Sequence, residues 1–70
     1  MKKKILIFSA GSAGREVFQL ILNINKLHNE WEVIGYVDDD TNKIGKIIDD
    51  VQVYSKKIGH KIKKFLEYVE

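Results

Sequence analysis

In the first part of the chain, the apolar residues show two patterns, and each pattern is typical of one kind of element. Ile5 to Phe8 is a continuous apolar run that ends at small residues, and such a run predicts a buried strand. Farther along, apolar residues recur every three or four positions and predict a helix from Ser12 or Ala13 to Lys26 or Leu27. The apolar residues of this helix, which we expect to pack across a sheet, are Val17, Phe18, Leu20, Ile21, Leu22, Ile24 and Leu27.

The second part of the chain predicts two more strands and a second helix. Trp31 to Val37 is a strand whose second half is apolar on both faces, as in a parallel strand covered by helices. A polar loop from Thr41 to Asp50 precedes a short strand, Val51 to Tyr54, and Ser55 is a suitable cap for the helix that follows. The loop residues expected under the sheet edge are Ile44, Ile47 and Ile48. The apolar face of the second helix consists of Ile58, Ile62, Phe65, Leu66 and Val69.

The order of these elements is strand, helix, strand, strand, helix, which is the first half of a doubly wound fold. The predicted fold class is therefore α/β, a short parallel sheet with helices packed on it in three layers. No further strand is predicted after the helix that begins at Ser55, so this half-domain is expected to be truncated. The chain is then a fragment, a naturally short protein, or a protomer whose sheet a second copy completes.

Composition narrows the class of protein. Seventy residues form one domain, 1–70, with 44% hydrophobic and 31% charged residues and a formal net charge of +2. This near balance of charge makes no case for a nucleic-acid partner. The chain has no cysteine, in agreement with a cytoplasmic location, and the apolar run after Lys2 to Lys4 is too short for a secretory signal. We therefore expect a cytoplasmic protein without membrane insertion.

The turn between the first strand and the first helix carries a chemical signal. It reads Ser9-x-Gly11-x-x-Gly14, a dinucleotide-binding fingerprint in which serine replaces the first glycine. Glycine lets the backbone turn sharply and approach a ligand, and the free N–H groups at the start of a helix attract a phosphate. A tight turn without a ligand is the alternative. The predicted phosphate-binding residues are Gly11, Ser12, Ala13, Gly14 and Arg15.

Three aspartates follow the second strand, at about the separation from the glycines at which an acidic residue binds a ribose hydroxyl. We predict that Asp38 or Asp39 has this role, and the two linked signals favour a nucleotide as ligand. Arg15 is either a bidentate phosphate ligand or a surface residue. Tyr36 is expected in the core rather than stacked on a base. Lys43 and Lys46 are further candidates to neutralise phosphate, and solvated loop lysines are the alternative.

A calcium-binding loop is an alternative for the same aspartates. Asp38, Asp40 and Asn42 have the spacing of its ligands, and Asp49 is at the twelfth position, that of the final ligand. Lys43 stands where such a loop needs glycine, and the flanking segments are strand and loop rather than two helices. The sequence therefore favours the nucleotide over the metal.

Four stretches in succession resemble one known family. They read Ser-Ala-Gly-Ser-Ala-Gly-Arg-Glu-Val from Ser9, Val-Ile-Gly-Tyr-Val-Asp-Asp-Asp from Val33, Lys-Ile-Gly-Lys from Lys43 and Val-Gln-Val-Tyr from Val51. The chain thus resembles the Rossmann-like nucleotide-binding domain of bacterial polysaccharide-biosynthesis proteins of the nucleoside-diphosphate-sugar epimerase and dehydratase family. The resemblance covers nearly the whole chain and implies NAD(P) or a nucleotide-sugar as ligand.

A second family shares much of this succession in its amino-terminal domain, the sialic acid O-acetyltransferase-like and bacillosamine N-acetyltransferase-like enzymes. They usually carry Gly-His where this chain has Ser12-Ala13, which favours the first family, whereas the start at Met1 favours the second. Ser9, Asp50 and Gln52 depart from the usual Gly, Gly and Pro. These departures bear on the ligand more than on the fold.

The residues and the resemblance together predict a binding module of surface-polysaccharide synthesis that is not catalytic on its own. The Tyr-x-x-x-Lys pair of the dehydratases is absent, and so are the hexapeptide repeats of the acyltransferases. The module would be part of an epimerase or dehydratase, or of an acetyltransferase. Its expected partners are a missing C-terminal domain or a second copy. A structural or assembly fragment without a ligand is the remaining alternative.

Overall fold

The computed structural model describes residues 2–64, 66, 68 and 69. Its elements are β1 (Lys3–Phe8), α1 (Ser12–Leu27), β2 (Trp31–Val37), β3 (Ile47–Ile48), β4 (Val51–Tyr54), α2 (Lys56–Lys63) and β5 (Tyr68–Val69). The bounds predicted for α1, β2 and β4 agree with the structure. Ser55 caps α2 as expected, because its side chain accepts a hydrogen bond from the N–H of Ile58 at 3.2 Å.

The strands form one sheet in the order β3-β4-β2-β1-β5. β4, β2, β1 and β5 run parallel, and β3 pairs antiparallel with β4 at one edge. The chain leaves β1 toward β2 through α1 and returns from β4 to the other side of β1 through α2. β1 is therefore the point where the strand order reverses, which is where open α/β sheets bind ligands. The fold is that of a Rossmann-like half-domain, as predicted.

Two expectations about the ends of elements are wrong. α2 ends at Lys63 instead of continuing to Val69, and Tyr68–Val69 forms β5, the strand that the sequence was expected to lack. The apolar spacing that suggested a longer helix thus belongs partly to a strand, and Phe65 lies outside the described residues. The expectation for the loop isoleucines holds in part: Ile47 and Ile48 form β3, in which Ile48 packs against the core, whereas Ile47 is 66% exposed.

Adjacent residues of β2 show that the two helices cover opposite faces of the sheet. The ring of Tyr36 packs on Phe18 of α1, with the ring centroids 5.7 Å apart. A Cβ added at Gly59 of α2 would lie 2.6 Å from Val37 Cγ2, so α2 lies directly on Val37. Because successive side chains of a strand point to opposite faces, α1 and α2 are the outer layers of a three-layer arrangement.

The register between β1 and β2 shifts by one residue and sets which side chains reach the core. Ile5 pairs with Val33, whereas Leu6 pairs with Gly35, so β2 contains one extra residue between them. Val33 and Tyr36 can thereby both pack into the core on the α1 face. The buried core on that face consists of Ile5, Ile7, Ala10, Phe18, Ile21, Tyr36 and Val53.

The apolar stripe of α1 is wider than the surface that covers it. Phe18 and Ile21 are buried, whereas Leu20 is 59% and Leu27 83% exposed. The prediction that the stripe packs across the sheet thus holds for its central part only. Within the described residues, neither helix has the length and apolar character needed to span a membrane.

Candidate functional site

The glycine-rich turn carries the chain from the carboxyl end of β1 into α1. Ser9 has a φ of 135°, in a region of backbone conformation that favours glycine. Its Oγ accepts a hydrogen bond from the N–H of Gly11 at 3.2 Å. The serine at the first position of the fingerprint therefore adopts a backbone conformation suited to the glycine that it replaces.

The two remaining glycines of the fingerprint have different surroundings. A Cβ added at Gly14 would collide with the carbonyl group of Ser9, so the close approach of α1 to the end of β1 requires glycine there. At Gly11 the nearest atom to an added Cβ is Ser9 Oγ at 3.5 Å, an ordinary contact. Packing within the fold therefore requires glycine at position 14 and does not require it at position 11.

The start of α1 is open at this turn. Gly11 is the N-cap residue and provides no side chain to cap the helix, and Ser12 and Ala13 are exposed. The first N–H groups of a helix have no acceptor within it, and they carry the positive end of the helix dipole. The turn can therefore donate hydrogen bonds to an anion such as a phosphate.

Asp38, directly after β2, holds the turn in place. Its Oδ2 accepts a hydrogen bond from the N–H of Ala10 at 2.8 Å, and its Oδ1 accepts one from the N–H of Asp40 at 2.9 Å. These two hydrogen bonds lower the pKa of Asp38 below its ordinary value, and the one from Ala10 has the larger effect. The carboxylate that was predicted to bind ribose thus has a structural role in bracing the end of β1.

Asp39 faces a cavity beside the turn. The cavity has a volume of about 340 Å³ and is lined by Phe8, Ser9, Val37, Asp38, Asp39 and Lys56. Asp39 Oδ2 lies 3.2 Å from Lys56 Nζ, and the two side chains are 73% and 59% exposed. The cavity therefore presents a carboxylate and an ammonium group side by side, above the apolar side chains of Phe8 and Val37.

Arg15 points away from the cavity toward the hairpin between β3 and β4. Its Nε and Nη2 donate hydrogen bonds to Asp49 Oδ2 and Oδ1 at 3.1 Å and 3.3 Å. Tyr36 Oη donates to Asp49 Oδ2 at 2.7 Å, so the tyrosine packs in the core and its hydroxyl anchors the hairpin. Hydrogen bonds from Arg15 and Tyr36 lower the pKa of Asp49. The pKa of Tyr36 is raised, mainly by burial and to a smaller extent by its hydrogen bond to Asp49.

Lys43 is the cation that lies over the turn. Its Nζ is 3.5 Å from the carbonyl oxygen of Ala10. Asp40, one of the residues with calcium-loop spacing, accepts a hydrogen bond at Oδ1 from the N–H of Asn42 at 2.9 Å. Within the described residues, no group of three acidic, histidine or cysteine side chains is placed to hold a metal ion.

The structure thus brings most of the predicted site residues to one edge of the sheet. Gly11, Ser12, Ala13, Gly14 and Asp38 form or support the turn, Asp39 faces the cavity beside it, and Arg15 instead binds Asp49. Their binding of a ligand stays a prediction. Sequence reasoning missed Lys56 as a cavity residue and Asp49 as an anchor. The sequence signal for Asp49 is the pair of adjacent aspartates, since Asp tolerates the positive φ that a two-residue hairpin turn requires and that both residues adopt.

Comparison with known proteins finds similarity in both sequence and fold. The family described as C2185-like, N-terminal, matches residues 1–68. The chain is similar to the crystal structure of UDP-D-quinovosamine 4-dehydrogenase from Vibrio fischeri, with a TM-score of 0.74 and 30% sequence identity over 99% of this chain and 55% of that chain. The chain therefore spans about half the length of that protein. Among curated proteins, no match is found.

Proposed function

The chain belongs to the family of C2185-like N-terminal domains, and from the geometry of its glycine-rich turn we propose that it binds the diphosphate of a nucleotide or nucleotide-sugar at the carboxyl edge of its sheet. The similar dehydrogenase is named for a UDP-sugar, which supports this class of ligand. The domain would serve nucleotide-sugar chemistry in the synthesis of surface polysaccharide. Catalysis would depend on residues outside these seventy, because the chain lacks a Tyr-x-x-x-Lys pair.

The open N-terminus of α1 beside β1 is the observation that carries the proposal. The N–H groups from Ser12 to Gly14 would bind the phosphates, and Gly11 leaves space for them because it has no Cβ. Lys43 lies over the same turn and would neutralise part of the phosphate charge. Ligands of open α/β sheets bind at this position, where the strand order reverses.

Asp39 is the residue that we assign to the ribose. Both oxygens of Asp38 already accept backbone hydrogen bonds, one from Ala10 at the turn and one from Asp40. Asp39 has a more exposed carboxylate, and it faces the cavity next to Ser9. A nucleoside in that cavity would contact the apolar side chains of Phe8 and Val37, with its ribose hydroxyls donating to Asp39.

A nicotinamide dinucleotide and a nucleotide-sugar both contain a diphosphate and a ribose, so the same residues fit either ligand. The turn from Gly11 to Gly14 would bind the diphosphate and Asp39 the ribose in both cases. A bound nicotinamide would supply a hydride acceptor for a dehydrogenase. The residues of this chain would bind and orient the ligand without taking part in bond breaking.

Thermal unfolding with UDP, UDP-N-acetylglucosamine, NAD and NADP tests the proposal. A ligand at about a hundred times its Kd stabilises the folded chain by about 2.7 kcal/mol. The extended backbone of Gly11, with φ −83° and ψ −170°, accepts a branched residue, so Gly11→Val is expected to fold and to lose the ligand-induced shift. Asn23→Ala, on an exposed part of α1, is the control that should keep it. The proposal is wrong if no ligand raises the Tm, or if Gly11→Val responds like the wild type.

A further inference from the structure

Lys56 occupies a position in α2 that the helix itself does not favour. It is the first residue of α2, where the positive end of the helix dipole repels a cation. No acidic residue in the first turn compensates for it, and the Ser55 side chain already caps the helix. The start of α2 therefore gives no structural reason for a lysine at this position.

The ion pair with Asp39 gives little structural reason either. Both side chains are more than half exposed, and ion pairs between exposed groups contribute little to stability. Lys56 and Asp39 nevertheless converge in the cavity beside the glycine turn, with Nζ and Oδ2 3.2 Å apart. A hydrogen-bond donor and an acceptor thus stand next to each other at the rim of a cavity of about 340 Å³, a size suited to part of a small ligand.

We propose that Lys56 is a ribose-binding residue and that the Lys56–Asp39 pair selects a ribose with two free hydroxyls. This inference rests on the proposed binding of a nucleotide. Each hydroxyl of a vicinal diol can both donate and accept a hydrogen bond. One hydroxyl would donate to Asp39 while the neighbouring hydroxyl accepts from the ammonium group of Lys56.

The pair would reject two kinds of altered ribose for different reasons. A 2′-deoxyribose lacks one hydroxyl, so one member of the pair would lose its partner in the complex. A 2′-phosphate would place negative charge against the carboxylate of Asp39, and Lys56 is already shared with that carboxylate. The domain is therefore expected to prefer UDP over 2′-deoxy-UDP and NAD over NADP.

Titrations of the isotope-labelled chain, followed by amide NMR, separate this inference from the proposed function. The probes are UDP, 2′-deoxy-UDP, NAD, NADP and inorganic pyrophosphate, which tests the turn without a ribose. The variants are Lys56→Met, Asp39→Asn and Gly11→Val. Lys57→Met is the matched control, because Lys57 is exposed on the same turn of α2 and does not line the cavity. Lys56→Arg tests rescue by a second cation.

Lys56→Met and Asp39→Asn are each expected to weaken UDP binding about tenfold, the loss of one charge-assisted hydrogen bond, and to reduce the preference over 2′-deoxy-UDP. Pyrophosphate binding should stay within about twofold of the wild type, and Lys57→Met and Lys56→Arg should bind UDP nearly as the wild type does. If Lys56→Met binds UDP unchanged while Gly11→Val does not, the ribose role of Lys56 is wrong and the phosphate turn stands. If the wild type binds neither UDP nor NAD at millimolar concentration, both proposals are wrong.

Discussion

Ser9 concentrates backbone strain at the start of the candidate site. A φ of 135° is unfavourable for a residue with a Cβ, by about 1–3 kcal/mol, and is open to glycine. Alanine is usually more stable than glycine within regular structure, by about 0.5–1 kcal/mol. At this position we expect the reverse order, with Ser9→Gly more stable than Ser9→Ala by about 1 kcal/mol.

Urea unfolding of the two Ser9 variants measures this difference. Both variants lack the Oγ that accepts the hydrogen bond of Gly11, so their comparison isolates the backbone from the side chain. If Ser9→Ala is as stable as Ser9→Gly or more stable, the turn relaxes to a conformation other than the one described. In that case Ser9 would occupy the position of the first glycine in the sequence without adopting its backbone conformation.

Single residues also show the limit of sequence reasoning about the site. The fingerprint and the three aspartates could be located because each occupies a recognisable distance from the others along the chain. The different roles of Asp38 and Asp39 could not be predicted, because they depend on which carboxylate accepts a hydrogen bond from the N–H of Ala10, 28 positions away from Asp38. The partner of Arg15 is Asp49, 34 positions away, and the sequence offered a phosphate as an equally good partner.

Asn25, a side chain of α1, links the helix to the start of β2. Asn25 Nδ2 donates to the carbonyl oxygen of Trp31 at 2.7 Å, and Asn25 Oδ1 accepts from the N–H of Trp31 at 3.1 Å. Asn25→Ala removes both hydrogen bonds from a half-buried site, and we expect it to lower the free energy of unfolding by about 1–3 kcal/mol. Asn23→Ala, at an exposed position of the same helix, should change it by less than about 0.5 kcal/mol.

Denaturant unfolding followed by the fluorescence of Trp31 compares the two asparagine variants, and Trp31 is the single tryptophan of the chain. Equal stability of Asn25→Ala and Asn23→Ala would contradict the role of Asn25 as the link between helix and strand. A greater loss in Asn25→Ala, with the emission of the folded state also altered, is the expected result, because the entry of β2 would lose its anchor.

Elements long enough to show a period were predictable, and the shortest ones were not. The strands β3 and β5 have two residues each, which is too few for an alternation of apolar and polar positions. Tyr68–Val69 also continues a helical spacing of apolar residues, so the pattern favoured the wrong element there. The register shift between Ile5 and Leu6 depends on the pairing of β1 with β2, and Gly35 within β2 is a weak local signal for it.

The whole molecule holds the candidate site together through contacts between distant segments. Ala10 meets Asp38 through its N–H and Lys43 through its carbonyl oxygen, and Tyr36 meets Asp49 across the sheet edge. Seventy residues bury a smaller share of their surface than a larger protein does, and their net stability is small. Each of these contacts is therefore a large fraction of that stability. That a C-terminal domain or a second copy of the chain adds to this stability stays a prediction.

Acid sensitivity is the property of the whole chain that follows from these contacts. The pKa of Asp38 is lowered by the N–H groups of Ala10 and Asp40, and that of Asp49 chiefly by Arg15. A carboxyl group with a lower pKa in the folded chain than in the unfolded chain binds fewer protons when folded. Its contribution to stability is therefore complete above the unfolded pKa, about 4, and is lost as the pH falls below that value.

Unfolding of the wild type, Asp38→Asn and Asp49→Asn between about pH 7 and pH 2 tests this assignment. Each variant should be less stable than the wild type near neutral pH, because it lacks one charged acceptor. Each should also lose less stability on acidification, because one group that must take up a proton is gone. The difference between wild type and variant should therefore narrow as the pH falls. A constant difference at all pH values would mean that these two carboxylates contribute through packing alone, and that the acid sensitivity of the chain arises away from the candidate site.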